Sequence, residues 1–303
     1  MNPEINAMLA GVREGDVHVI ARVLTLVENS LAGADGLLLG LTPRATVPVI
    51  GFTGPPGAGK STLINALIAK WTGAGKRIAI LAIDPTSPFN FGSLLGDRLR
   101  MAEHFLNPNV FIRSVATRGS LGGLSEKVIE LIDVLRSANF DLIIVETVGV
   151  GQSEVEVAGL ADTTVVVVVP EAGDEIQTMK SGIMEIADIF VVNKSDREGA
   201  DALINNLQKM MHHPKTGGWT VPVLKVIASR SEGVGNLAQK IAEHRLSTGY
   251  NEKKSFLLTE KVYQLIRKQR MRDISKEKIK AELEKAYKTG DFNLYSFAAG
   301  LGK

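Results

Sequence analysis

Gly54-Pro-Pro-Gly-Ala-Gly-Lys60-Ser61 constrains this chain more than any other stretch. Gly54, Gly59, Lys60 and Ser61 meet the pattern G-x-x-x-x-G-K-[ST]. The flanks suit it: residues 47–52 read as a buried strand and residues 61–71 as a helix. Glycines let such a loop curl so that successive N–H groups point inward at a phosphate. The helix that follows adds its positive N-terminal end. Lys60 then neutralises the β- and γ-phosphates, and the Ser61 hydroxyl holds Mg²⁺. Gly54, Pro55, Pro56, Gly57, Ala58, Gly59, Lys60, Ser61 and Thr62 are therefore the candidate cradle for a nucleoside triphosphate, and a plain glycine-rich turn is the alternative.

The surrounding pattern is an alternation. Apolar strands are expected at 47–52, 77–83, 110–115, 141–145, 163–169, 187–192 and 221–227, and amphipathic helices at 60–71, 97–106, 124–137, 154–160, 174–186, 200–211 and 234–247. That order predicts an α/β fold, a P-loop NTPase whose mostly parallel central sheet is flanked by helices. Three zones follow: an N-terminal helical extension over 1–44, the P-loop domain over 45–250 and a C-terminal helical arm over 251–303. In the first, Val17, Ile20, Val23, Leu24, Val27 and Leu31 recur at helical spacing behind Asp16 as N-cap, and residues 37–43 break the pattern.

Ligands of parallel sheets lie beyond the carboxyl ends of the strands, and the remaining candidates fall there. Asp84 ends a strand and suits either a magnesium-site acid or an Asx turn before Pro85. Asp97 suits either a helix cap or a switch-loop acid that reaches Mg²⁺. Glu146 closes the strand Phe140-Asp-Leu-Ile-Ile-Val145, where P-loop enzymes place a second metal-orienting carboxylate, and the Gly149 N–H is placed to sense the γ-phosphate. Lys60, Asp97 and Glu146 are the candidate catalytic residues; Ser61, Asp84, Asp97 and Glu146 are the candidate metal residues.

Asn193-Lys194-Ser195-Asp196 follows another strand. A carboxylate at Asp196 accepts two hydrogen bonds from guanine N1–H and N2–H₂, a donor pair that adenine lacks. Lys194 would lie along the base and Asn193 would brace neighbouring loops. Ala228, Ser229 and Arg230 follow the last strand and are expected to supply a backbone N–H to guanine O6. The acidic segment 170–180 reads as either a partner-sensing loop or an ordinary loop into a helix. His212-His213 has no companions at metal-ligand spacing.

With these residues the chain resembles the methylmalonyl-CoA mutase-associated GTPases, the MeaB/ArgK-like group of SIMIBI-class P-loop proteins. The resemblance rests on 54–62, 84–88, Gly92-Ser-Leu-Leu-Gly-Asp-Arg98, 117–123, Glu146-Thr-Val-Gly-Val-Gly-Gln-Ser-Glu154 and Asn193–Asp196. It covers 15–250 well and the tail loosely. It implies binding of GTP/GDP with Mg²⁺ and hydrolysis that assists a cobalamin-dependent acyl-CoA mutase in cofactor loading, protection and reactivation. It also implies a homodimer held by C-terminal arms. Lys60, Asp84, Asp97 and Glu146 would then be phosphate- and magnesium-site residues.

Other classes fit less well. A nickel-insertion GTPase would want a Cys/His site, and the chain has no cysteine. An ATP-dependent kinase is opposed by Asp196. A nucleotide-gated binding module is the remaining alternative. Arg98, Arg113 and Arg118 are candidates for an arginine finger. Residues 252–288 carry twelve Lys/Arg and six Asp/Glu, but the interleaved acids read as a solvated helix face rather than a nucleic-acid or membrane contact. The opening residues show no secretory pattern, and the longest apolar run is too short for a membrane span, so a cytoplasmic protein is expected.

Overall fold

The computed structural model describes residues 2–84, 101–116, 127–147, 153–172, 183–211, 218–247, 252–271, 275–288 and 292–301. The chain divides into two compact units, Met1–Lys254 and Ser255–Lys303.

The first unit is built on seven parallel strands: β1 (Val49–Thr53), β2 (Ile78–Asp84), β3 (Val110–Ala116), β4 (Leu142–Thr147), β5 (Thr163–Val168), β6 (Ile189–Val192) and β7 (Val223–Lys225), in the order β3-β2-β4-β1-β5-β6-β7. This is the α/β sheet that the alternation predicts. Every residue of β1, β4 and β5 is buried, as expected of parallel strands covered on both faces. Phe52, Leu63, Ile64, Leu67, Ile68, Ile80, Val165 and Phe190 lie in the core.

Three aspartates set where strands begin. Asp141, Asp162 and Asp188 stand immediately before β4, β5 and β6, and their Oδ2 atoms accept the backbone N–H groups of Arg77, Val49 and Thr164, each at 2.8 Å. Each carboxylate satisfies a backbone donor at the start of a neighbouring strand. β6 begins at Ile189, two residues later than the expected 187. All three acids lie at the amino edge of the sheet, opposite the edge where the candidate site gathers.

The helices of this unit are α1 (Pro3–Glu14), α2 (Val17–Glu28), α3 (Ala34–Gly40), α4 (Lys60–Gly73), α5 (Val128–Ser137), α6 (Ser153–Leu160), α7 (Ile183–Ile186), α8 (Ala200–Met210) and α9 (Val234–Ser247). Asp16 caps α2 by accepting from the N–H groups of His18 and Val19, as its position predicts. Residues 37–43 do not simply break the helical pattern: Leu37 lies inside α3 and is buried. Gly36 permits this, because a Cβ there would lie 2.8 Å from Ile5 of α1. α1 and α2 pack on each other and on α5. Arg44 reinforces the seam by donating to the carbonyls of Ala138 and Phe140 after α5. Of the expected helix over 97–106, the described residues hold only a 3₁₀ turn, Ala102–His104.

In the second unit, α10 (Glu252–Arg270), which begins just before the boundary, is followed by α11 (Lys276–Tyr287) and α12 (Leu294–Leu301). Tyr287, Phe292 and Phe297 stack in series, with ring centroids 5.5 and 5.7 Å apart. Among the described residues no helix is long and apolar enough to cross a membrane.

Candidate functional site

The carboxyl ends of β1, β4, β6 and β7 bring four segments together. The first is the loop between β1 and α4. Gly54 has φ 135° and Gly59, the N-cap of α4, has φ 83°. Gly54 lies hard against β5: a Cβ there would come within 2.0 Å of the Val167 carbonyl oxygen. Only glycine reaches this conformation at that separation. Lys60 is buried, and its Nζ donates to the carbonyls of Gly54 at 2.8 Å and Pro55 at 3.0 Å. The loop thus curls around its own lysine, holding the cation at the mouth of the α4 N-terminus.

The second segment is the end of β4. Glu146 pairs in register with Phe52 of β1 and Ala82 of β2, which places it between the strand that precedes the P-loop and the strand that ends in Asp84. Its buried carboxylate accepts from the Ser61 hydroxyl at 2.8 Å. Thr147 donates to Thr53 Oγ1 at 3.1 Å, a second tie between β4 and the foot of the loop that the sequence reading missed. Asp84 is the final residue of β2. Asp97, Gly149, Arg98, Arg118, His212, His213 and segment 173–182 lie outside the described residues. Arg113 does not face the site as a free cation. It lies in β3 and is ion-paired to Glu28 at 2.6 Å, so it is no candidate for a finger.

The third and fourth segments follow β6 and β7. Asn193, almost fully buried, donates from Nδ2 to the Ala58 carbonyl at 2.9 Å and accepts the Ala228 N–H on Oδ1 at 3.1 Å. It therefore braces the P-loop against the loop after β7, the bracing role its position predicts. Lys194, with φ 53°, reaches back to donate to the Gly57 carbonyl at 2.9 Å. Between these elements lies a cavity of about 270 Å³ lined by Gly59, Thr62, Asn193, Lys194, Asp196, Arg197, Ile227, Ala228 and Ser229. In the 3₁₀ turn Ala228–Arg230, the Ala228 N–H serves Asn193 and the Arg230 N–H serves the Ile227 carbonyl at 3.0 Å. Ser229, between them in the turn, lines the cavity.

Two ion pairs at the rim were not visible in the sequence. Arg230 Nη2 meets Asp196 Oδ2 at 2.9 Å. Arg197 pairs with Glu171 in the 3₁₀ turn Pro170–Ala172, just after β5. The Arg197 hydrogen bond, followed by Glu171's own backbone N–H, holds the Glu171 carboxyl below its ordinary value.

The arrangement is a lysine-bearing phosphate loop joined by Asn193 to a cavity with one carboxylate on its wall. A model of the family described as methylmalonyl Co-A mutase-associated GTPase MeaB matches residues 20–285. A putative GTPase of Pyrococcus horikoshii is 46% identical over 246 residues, covering 80% of this chain and 78% of the relative. GTPase ArgK of Escherichia coli is 35% identical, covering 77% and 74% of the two chains. The mouse protein named methylmalonic aciduria type A homolog, mitochondrial, is 33% identical, covering 79% of this chain and 62% of that one. A crystal structure of an LAO/AO transport system kinase superposes with TM-score 0.70 at 24% identity, covering 99% and 97% of the chains, and supports the fold. The chain is a guanine-nucleotide-binding GTPase and belongs to the methylmalonyl-CoA mutase-associated GTPase MeaB family.

Proposed function

We propose that this GTPase assists a cobalamin-dependent acyl-CoA mutase in loading, protecting and reactivating its cofactor. The observation that carries the mutase link is the family match over residues 20–285. The name of the mouse relative points to the same metabolic context. In this reading the chain acts as a nucleotide switch and the client enzyme performs the acyl-CoA chemistry.

In this reading the cradle at 54–62 takes the phosphates, and Lys60 exchanges the Gly54 and Pro55 carbonyls for phosphate oxygens. A charged donor gains more from an anionic oxygen than from a neutral carbonyl, so the exchange is downhill. Asp196 reads guanine N1–H and N2–H₂, and the Ser229 N–H donates to O6. Asn193 keeps both halves of the site at fixed separation.

The residues also fit Mg²⁺. Octahedral ligands at the usual magnesium distance stand about 2.9 Å apart when adjacent, and Ser61 Oγ and Glu146 Oε1 are 2.8 Å apart. Ser61 and Glu146, with Asp84 and Asp97, would hold the ion, which would supply charge neutralisation at the phosphates. We further assign the exposed apolar residues Phe256, Val262 and Ile266 of α10 to a homodimer contact, and the protein to the cytoplasm.

The test is to add purified adenosylcobalamin-dependent acyl-CoA mutases to the chain. The cognate mutase co-elutes with it and raises GTP turnover, by about 10³- to 10⁵-fold where it supplies a charge-stabilising group. Absence of both effects across such mutases would overturn the mutase assignment and leave the GTPase standing.

A further inference from the structure

Asp196 lines the cavity, and Arg230 does not. They arrive from different strands, Asp196 on the loop after β6 and Arg230 at the end of the turn after β7, and meet at 2.9 Å through Nη2 and Oδ2. The guanidinium therefore grips the carboxylate from outside the cavity lining. Its other terminal nitrogen, Nη1, lies 3.6 Å from Glu232 Oε1, so a second carboxylate steadies the arginine. Its backbone N–H is fixed to Ile227, and Ser231 turns the chain away with φ 57°.

An ion pair this exposed adds little to fold stability. Its effect on geometry is larger. Asp196 sits on a loop, and a loop aspartate left alone samples several staggered χ1 wells. Reading guanine through two adjacent donors requires one of them. We infer that Arg230 is a positioning residue for guanine selectivity, holding the Asp196 carboxylate in the rotamer that addresses N1–H and N2–H₂ together. The inference rests on the guanine-reading role of Asp196. A carboxylate oxygen has lone pairs for both the arginine and the base, so Arg230 stays in place when nucleotide binds.

Releasing one carboxylate into three comparable wells reduces the competent fraction to about a third. The bidentate angular requirement extends the loss to about 3- to 10-fold in guanine affinity. Inosine diphosphate offers N1–H but no 2-amino group, so it depends on one of the two hydrogen bonds and loses less.

The experiment measures dissociation constants of GDP, inosine diphosphate and xanthosine diphosphate for the full-length protein, Arg230→Ala, Arg230→Lys and Asp196→Asn, with thermal melting alongside. Arg230→Ala weakens GDP about 3- to 10-fold and inosine diphosphate less than about 2-fold, compressing the ratio between them. Arg230→Lys restores part of that ratio. Equal loss for both nucleotides, no loss, or tighter GDP binding would overturn the inference, the last by showing that Arg230 competes with the base. Asp196→Asn is the separate control. If it fails to move preference from GDP to xanthosine diphosphate, the guanine-reading assignment falls and the inference with it. If it does move preference while Arg230→Ala leaves the ratio intact, only the positioning role falls.

Discussion

Gly54→Ala and Gly57→Ala separate two reasons for a glycine in one loop. Gly57 has φ 75°, and a Cβ there meets nothing within 4 Å. Alanine at that position bears only the left-handed backbone penalty, about 1 kcal/mol. Gly54 has φ 135°, and its Cβ would lie 2.0 Å from the Val167 carbonyl oxygen. That region of backbone space is nearly closed to other residues and adds about 1–3 kcal/mol of strain. Relieving the overlap needs roughly an ångström of movement between the loop and β5, of the same order as overpacking a core, about 1–3 kcal/mol. Together Gly54→Ala destabilises by about 4 kcal/mol, some 3 kcal/mol more than Gly57→Ala. Both tryptophans, Trp71 and Trp219, lie in the unit Met1–Lys254, so urea unfolding followed by their fluorescence reports that unit. If the two variants unfold within about 1 kcal/mol of each other, the close approach of the loop to β5 is wrong.

Glu146→Gln keeps a hydrogen-bond acceptor for Ser61 and removes the charge. It should raise the Mg²⁺ concentration needed for half-maximal GTP turnover about 10- to 100-fold, and an unchanged requirement would remove Glu146 from the metal site. Glu171 should titrate below the ordinary glutamate range by NMR because Arg197 hydrogen-bonds its carboxylate, and Arg197→Ala should raise that midpoint. Because the folded value is depressed, the pair's contribution is present above the unfolded value and is lost as pH falls through the folded one. Turnover should therefore show no inflection from Glu171 near neutral pH.

The sheet was legible because its strands are near-continuous apolar runs bounded by acids and glycines. The phosphate loop and Asn193–Asp196 were legible because both are fixed spacings at strand ends. The meeting of Ser61 with Glu146 depends on β1 and β4 lying side by side, which the observed strand order supplies. Other features depend on partners distant in sequence. Nothing near Asp196 announces Arg230, and nothing near Arg197 announces Glu171; each pair forms only when successive strands of the sheet lie side by side. α3 was hidden because its two glycines oppose a helix locally, and burial of Ala34 and Leu37 overrides that preference. α1 does carry a local signal at both ends. Asn2 accepts the Glu4 N–H, Pro3 opens the helix, and Gly15 closes it in the left-handed conformation.

Nucleotide choice, measured together with Lys60→Ala, tests the GTPase site most directly. Release of inorganic phosphate should be Mg²⁺-dependent with GTP, should persist under a 100-fold excess of ATP (about 3 kcal/mol of base discrimination), and should vanish in Lys60→Ala. Equal turnover of ATP, or turnover that survives Lys60→Ala, would contradict a guanine-specific hydrolase built on this loop.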